Sequence, residues 1–63
     1  MPTDEIIIEI QRIGNILRVA ALDVATGTEV TFQAPVWASR ASINRLAASK
    51  LRYVMSKAAT PKS

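Results

Sequence analysis

The sequence predicts an α+β domain: a three-stranded antiparallel β-meander with one C-terminal α-helix packed on one face. Three observations carry that prediction. Apolar residues alternate with polar ones over about residues 5–13, 16–23 and 28–34, the pattern of half-buried strands. Two turn signals, Gly14-Asn15 and Asp23-Val24-Ala25-Thr26-Gly27, separate those runs. Beyond Pro35 the apolar spacing lengthens to that of a helix, over about residues 39–58. Residues 59–63 read as a tail, and residues 1–63 as one small domain.

The first strand, Glu5-Ile6-Ile7-Ile8-Glu9-Ile10-Gln11-Arg12-Ile13, is rich in β-branched residues, which suit a pleated, half-buried surface. Gly14-Asn15 then reads as a two-residue hairpin loop of the II′ or I′ kind. With that loop, Ile13 faces Ile16, Ile10 faces Val19, Ile8 faces Ala21 and Ile7 faces Leu22. The second turn reads as a four-residue loop, Val24 to Gly27. In it Asp23 accepts a backbone hydrogen bond and Gly27 takes a positive φ. Asp23 then pairs with Thr28, and the ladder runs Leu22:Glu29, Ala21:Val30, Ala20:Thr31, Val19:Phe32, Arg18:Gln33 and Leu17:Ala34.

Residues directly opposite one another share a face. The two registers, argued from separate turns, both gather Ile8, Ile10, Leu17, Val19, Ala21, Val30, Phe32 and Ala34 on one side. Glu9, Gln11, Arg18, Ala20, Leu22, Glu29, Thr31 and Gln33 fall on the other, which is mostly polar. A slip of one residue would mix the sets, so the hydrophobic pattern itself specifies the pairing.

Pro35 has no N–H for a ladder and ends the third strand; Val36 to Ser39 cross to the helix. Ser39 is placed to cap it, Lys57 suits the C-terminal end of its dipole, and Thr60-Pro61 stops it. Ile43, Leu46, Ala47, Leu51, Val54 and Ala58 share one sector of the helix, with Arg45, Ser49, Arg52 and Ser56 opposite. The expected core is Ile8, Ile10, Leu17, Val19, Ala21, Val30, Phe32, Ile43, Leu46, Ala47, Leu51 and Val54. Lys50 also lands in the apolar sector. It is expected to lay its stem on the sheet and lift its ammonium to water or to an acid such as Glu29, the alternative being a buried lysine of Schiff-base type. Tyr53 borders the sector as a rim residue. Trp37 is expected to close the end of the core, the alternative being an aromatic held exposed for a partner.

Catalytic chemistry has few candidates. The chain has no His and no Cys, which removes disulfides and the ordinary zinc ligands. Asp4 and Glu5 sit at a terminus, Glu9 and Glu29 on a polar face and Asp23 in a turn, so no carboxylate pair is held together for acid–base work. Ser39 and Ser42 have no base in sequence reach. Gly14 and Gly27 each serve a turn rather than a phosphate loop. The expectation is a protein without enzymatic activity, cofactor, metal or small-molecule substrate. There is no apolar run long enough to span a membrane, and the acidic N-terminus differs from the basic start of a signal peptide. A cytoplasmic protein of bacterial type with no membrane partner is therefore expected.

Two functional readings remain. A single core in a chain of 63 residues rarely supplies more than about 3–5 kcal/mol. Small domains add disulfides, a metal or a partner, and here the partner is what is left. A homodimer is expected, as a structural or interaction module, with another protein as a further option. Its interface is placed on the sheet face away from the helix, where the registers bring Ile7 beside Leu22 and Ile13 beside Ile16. Strand-edge pairing and helix exchange are the other modes.

The second reading comes from charge. Residues 1–39 hold two arginines against five carboxylates, a balance of −3, whereas residues 40–63 hold six cations and no acid. Arg40, Arg45, Arg52 and Lys57 could thus make a weak, salt-sensitive nucleic-acid contact. Against this, the helix face offers Ser and Ala where base readout uses edge donors and stacking aromatics.

One resemblance accompanies these readings. Arg18-Val19-Ala20-Ala21-Leu22-Asp23 followed by Ala25-Thr26-Gly27-Thr28-Glu29-Val30 carries one half of it. Pro35, Leu46-Ala47 and Lys50-Leu51-Arg52-Tyr53-Val54 carry the other. Together they resemble a family of short, uncharacterised alphaproteobacterial proteins, a domain of unknown function, over nearly the whole chain. The resemblance implies no activity and transfers no functional residue.

Overall fold

Two glycines set the geometry of the sheet. In the computed structural model, which describes residues 5–59, Gly14 has φ 63° and Gly27 has φ 73°, and no other described residue has a positive φ. Asn15 is thus on the negative side, which makes the first loop a II′ turn rather than I′. From it β1 (Ile6–Ile13) and β2 (Ile16–Asp23) pair antiparallel, with Ile13 opposite Ile16 and Ile6 opposite Asp23. From the second loop β3 (Thr28–Pro35) pairs with β2, with Asp23 opposite Thr28 and Ile16 opposite Pro35. The sheet order is β1-β2-β3. Both registers agree with the sequence-based ladders, and each is one pair longer.

The second loop is closed by its own polar groups. The Gly27 N–H donates to the Asp23 carbonyl at 2.8 Å, and the Thr26 N–H to Asp23 Oδ2 at 3.1 Å. The Thr26 hydroxyl donates to the same carboxylate oxygen at 2.7 Å, and the Thr28 N–H reaches back to Thr26 Oγ1 at 3.3 Å. These partners offset the burial of Asp23, which is only 8% exposed. A Cβ at Gly27 would meet no neighbouring atom within 4 Å, so its substitution isolates backbone strain. Gly27→Ala is expected to destabilise by about 1–2 kcal/mol, and Gly27→Asn by less, because Asn tolerates the left-handed region. Equal urea midpoints for Gly27→Ala and wild type would contradict this account of the turn.

Helix α1 (Arg40–Ala59) starts where the sequence places its cap. The Ser42 N–H donates to Ser39 Oγ at 3.0 Å, which satisfies one of the helix's orphan donors, and the Ile43 N–H donates to the Ser39 carbonyl at 3.0 Å as the first intrahelical bond. The helix lies on the apolar face, chiefly over β2 and β3. The core has two centres. Val19, Ala34 and Ile43 form one, with Ile10, Leu17 and Ala38 packed against it. Ala21, Ala47 and Leu51 form the other, with Ile6, Val30 and Met55 around it. Ile8 and Phe32 touch both and join them.

Three expectations are corrected. Leu46 and Val54 are exposed rather than core. The sheet has three strands and ends at β3, so the flank of the helix beyond that edge has nothing beneath it. Trp37 is 82% exposed and does not close the core. The Ala38 N–H donates to the Pro35 carbonyl at 3.0 Å, a tight turn that packs Ala38 against the core, leaves Val36 half-buried and directs Trp37 outward. Lys50 does lift its ammonium out of the core, but it sits 5.6 Å over the Phe32 ring, while Glu29 lies on the opposite face of the sheet. The stop at Thr60-Pro61 and the tail from residue 60 onward lie outside the described residues, as does the side chain of Ala58.

Candidate interaction surface

The Cα trace spans 41 × 32 × 16 Å, a slab of one sheet and one helix that leaves three surfaces open. The first is the outer face of the sheet. Ile7 and Leu22 share a row with Glu29, and Ile13 and Ile16 share a row with Pro35. Between these rows lie Glu9-Ala20-Thr31 and Gln11-Arg18-Gln33. The four aliphatics are therefore two pairs at opposite ends of the sheet, about 20 Å apart at the rise of a strand. Ile7 and Ile13 are exposed, whereas Ile16 and Leu22 are half-buried.

The second surface is the outward face of α1. Arg45 and Arg52 are exposed there, seven residues and hence two turns apart on one stripe. The other two cations of the sequence-based set are engaged elsewhere. Arg40 Nε donates to Asn44 Oδ1 at 3.0 Å, and Lys57 Nζ sits 5.5 Å over the Tyr53 ring. Lys57 is about 140° around the helix from Arg52, so the four do not form one patch.

The third surface was legible only in part from the sequence. Along the open edge of β3, α1 presents Leu46 and Tyr53, 42% and 64% exposed, with Trp37 at the end of the same flank. A cleft of about 430 Å³ lies at the Trp37 end, lined by Ala34, Pro35, Trp37, Ala38, Ile43 and Leu46 among others. A second groove of about 440 Å³ lies toward the helix C-terminus, between Val30 and Thr31 on β3 and Leu46, Lys50, Tyr53 and Val54 on α1. Helical periodicity assigns Leu46 and Val54 to the core and so conceals this flank. The signal that could have found it was Tyr53 on the rim together with an edge strand bearing only one charge, Glu29.

The Asp23 carboxylate is taken up by its turn and the Ser39 and Ser42 hydroxyls by the helix cap. Among the described residues no cluster of three metal-ligating side chains occurs, and no helix is long and apolar enough to cross a membrane. A family model for a domain of unknown function, DUF6898, matches residues 3–58. No curated protein and no solved structure matches the chain.

Proposed function

The chain belongs to the DUF6898 family, a domain of unknown function, and on that premise we propose that it is a self-associating structural or interaction module without catalytic activity, acting in the cytoplasm. The observation that carries this reading is the imbalance between core and surface. Among the described residues only Leu51 and Val19 are large side chains that are fully buried, while Ile7, Ile13, Val24, Trp37, Leu46, Tyr53 and Val54 remain exposed. A domain that buries so little and exposes so much gains from covering apolar surface with a partner, and a two-fold dimer is the commonest arrangement. Sedimentation at micromolar concentration tests it. A mass near twice 6.8 kDa is expected, with a melting temperature that rises with protein concentration. A mass of one chain, with a melting temperature independent of concentration, would contradict it.

A weak nucleic-acid contact through the exposed Arg45 and Arg52 is the second reading, supported by a helix whose five cations face no acid within it. Affinity for a mixed oligonucleotide must then fall steeply as salt rises, and Arg45→Ala with Arg52→Ala must flatten that dependence. Binding that ignores salt would exclude it.

A further inference from the structure

We propose that a second copy of this chain docks along the β3 edge and the adjoining flank of α1, in a two-fold contact that makes one six-stranded sheet with both helices on the same face. This rests on the self-association reading above and specifies its mode. Four features of that edge support a second copy as the occupant.

The first is the strand. β3 pairs with β2 without interruption over eight residues, and its outer edge carries open N–H and C=O groups along Glu29-Val30-Thr31-Phe32-Gln33-Ala34. The usual guards of an edge are charged side chains, bulges and proline. Here they amount to Glu29 near one end and Pro35 at the other. On β1, by contrast, Glu9 and Arg12 stand within the strand.

The second is register. Antiparallel pairing puts opposite residues on one face, and in β3 the even-numbered residues Val30, Phe32 and Ala34 face the helix. A two-fold axis through any β3 residue pairs even with even, so the apolar faces of both copies align without a bulge.

The third is shape. Tyr53 projects on one side of Leu46, and the apolar cleft between Trp37 and Leu46 opens on the other. A two-fold axis near Leu46 exchanges these ends, so Tyr53 of each copy meets the cleft of the other. Leu46 lines both grooves and sits at the centre, where the anchoring residues of interfaces concentrate. A different protein would need to supply that projection and strand; a second copy already has both.

The fourth is area. Trp37 and Tyr53, 82% and 64% exposed, together offer roughly 200–350 Å² of the area that aromatic side chains bury. With Leu46, Val54 and the strand edge, the flank approaches the roughly 800 Å² per partner of a standard interface. The exposed charges of the flank are Lys50 and Lys57, each lying over an aromatic ring. Two basic helices brought side by side repel, and salt screens that repulsion. Dimerisation should therefore tighten with salt, opposite in sign to nucleic-acid binding.

Two matched pairs of variants at exposed positions test the mode by sedimentation, with far-UV circular dichroism as the control for folding. Leu46→Lys with Tyr53→Lys is expected to weaken the dimer by at least about 100-fold, the loss of a hot-spot pair. Ile7→Lys with Ile13→Lys on the outer sheet face is expected to change it by less than about threefold, within the range of near-neutral contacts. The wild type gives a second readout that needs no substitution. Trp37 is the one tryptophan, so its emission should shift to the blue as concentration drives the dimer. A wild type that sediments as one chain overturns both this proposal and the self-association reading. A wild-type dimer that survives Leu46→Lys with Tyr53→Lys, that is split by the outer-face pair, or whose Trp37 emission does not change with concentration overturns only the mode.

Discussion

Leu51→Ala is expected to unfold the isolated domain at room temperature. Leu51 is 1% exposed and is the largest side chain of the cluster it forms with Ala21 and Ala47. The other fully buried members of that centre are alanines, which have no rotamers to swing into the space, so only the half-buried side chains around them, Met55 among them, can move toward it. Truncating a buried Leu costs about 2–5 kcal/mol, more where the site cannot collapse. That range covers the roughly 3–5 kcal/mol that a core of this size supplies. Far-UV circular dichroism and a urea melt at fixed protein concentration are the measurements. A midpoint within error of the wild type would mean that the helix does not seat Leu51 on the sheet.

Phe32→Ala is expected to destabilise by roughly 2–4 kcal/mol, somewhat below the ~3–5 kcal/mol of a fully buried aromatic, because Phe32 is only half-buried. Its effect comes from position. Phe32 and Ile8 are the two side chains that pack against both core centres, and Lys50 lays its ammonium over the Phe32 ring. Removing the ring leaves Ile8 as the remaining bridge and uncovers the stem of Lys50. The unfolding transition should therefore broaden as well as shift, since the two ends of the sheet then lose their coupling. A transition as steep as the wild type, at the same midpoint, would show that the facing of β3 is wrong. Measuring at several concentrations separates this loss from any change in association, which alters apparent stability by mass action.

Much of the architecture was legible because its causes are local. A II′ loop needs φ > 0 at Gly14, and the four-residue loop needs it at Gly27 with a carboxylate three residues before Thr26. Each requirement is satisfied within five residues of sequence, so both registers follow from the turns. Alternation then decides which side of each strand is apolar. The N-cap at Ser39 is equally local, a hydroxyl three residues before the N–H it accepts. The family match over residues 3–58 agrees with this reading and adds no chemistry to it.

The helix shows where local reasoning stops. Periodicity alone determined that Ile43, Leu46, Ala47, Leu51 and Val54 share a broad sector, and it placed the whole sector against the sheet. Which part of that sector is covered depends on how wide the sheet is and where across it the helix lies, and neither is encoded in the helix. Lying chiefly over β2 and β3, α1 buries Ile43, Ala47 and Leu51 and leaves Leu46 and Val54 beyond support. Trp37 is a similar case, since a hydrophobic residue beside the core reads as part of it until the Pro35–Ala38 turn fixes its direction. The aliphatics of the outer face are a contrasting case, since register alone pairs them and sets the two pairs six residues apart along the strands. The sequence by itself determined the strands, their pairing, their apolar face and the helix cap, because turn chemistry and period act over a few residues. Only the tertiary structure decided which apolar residues stay uncovered, because coverage is set by the lateral fit of one whole element on another.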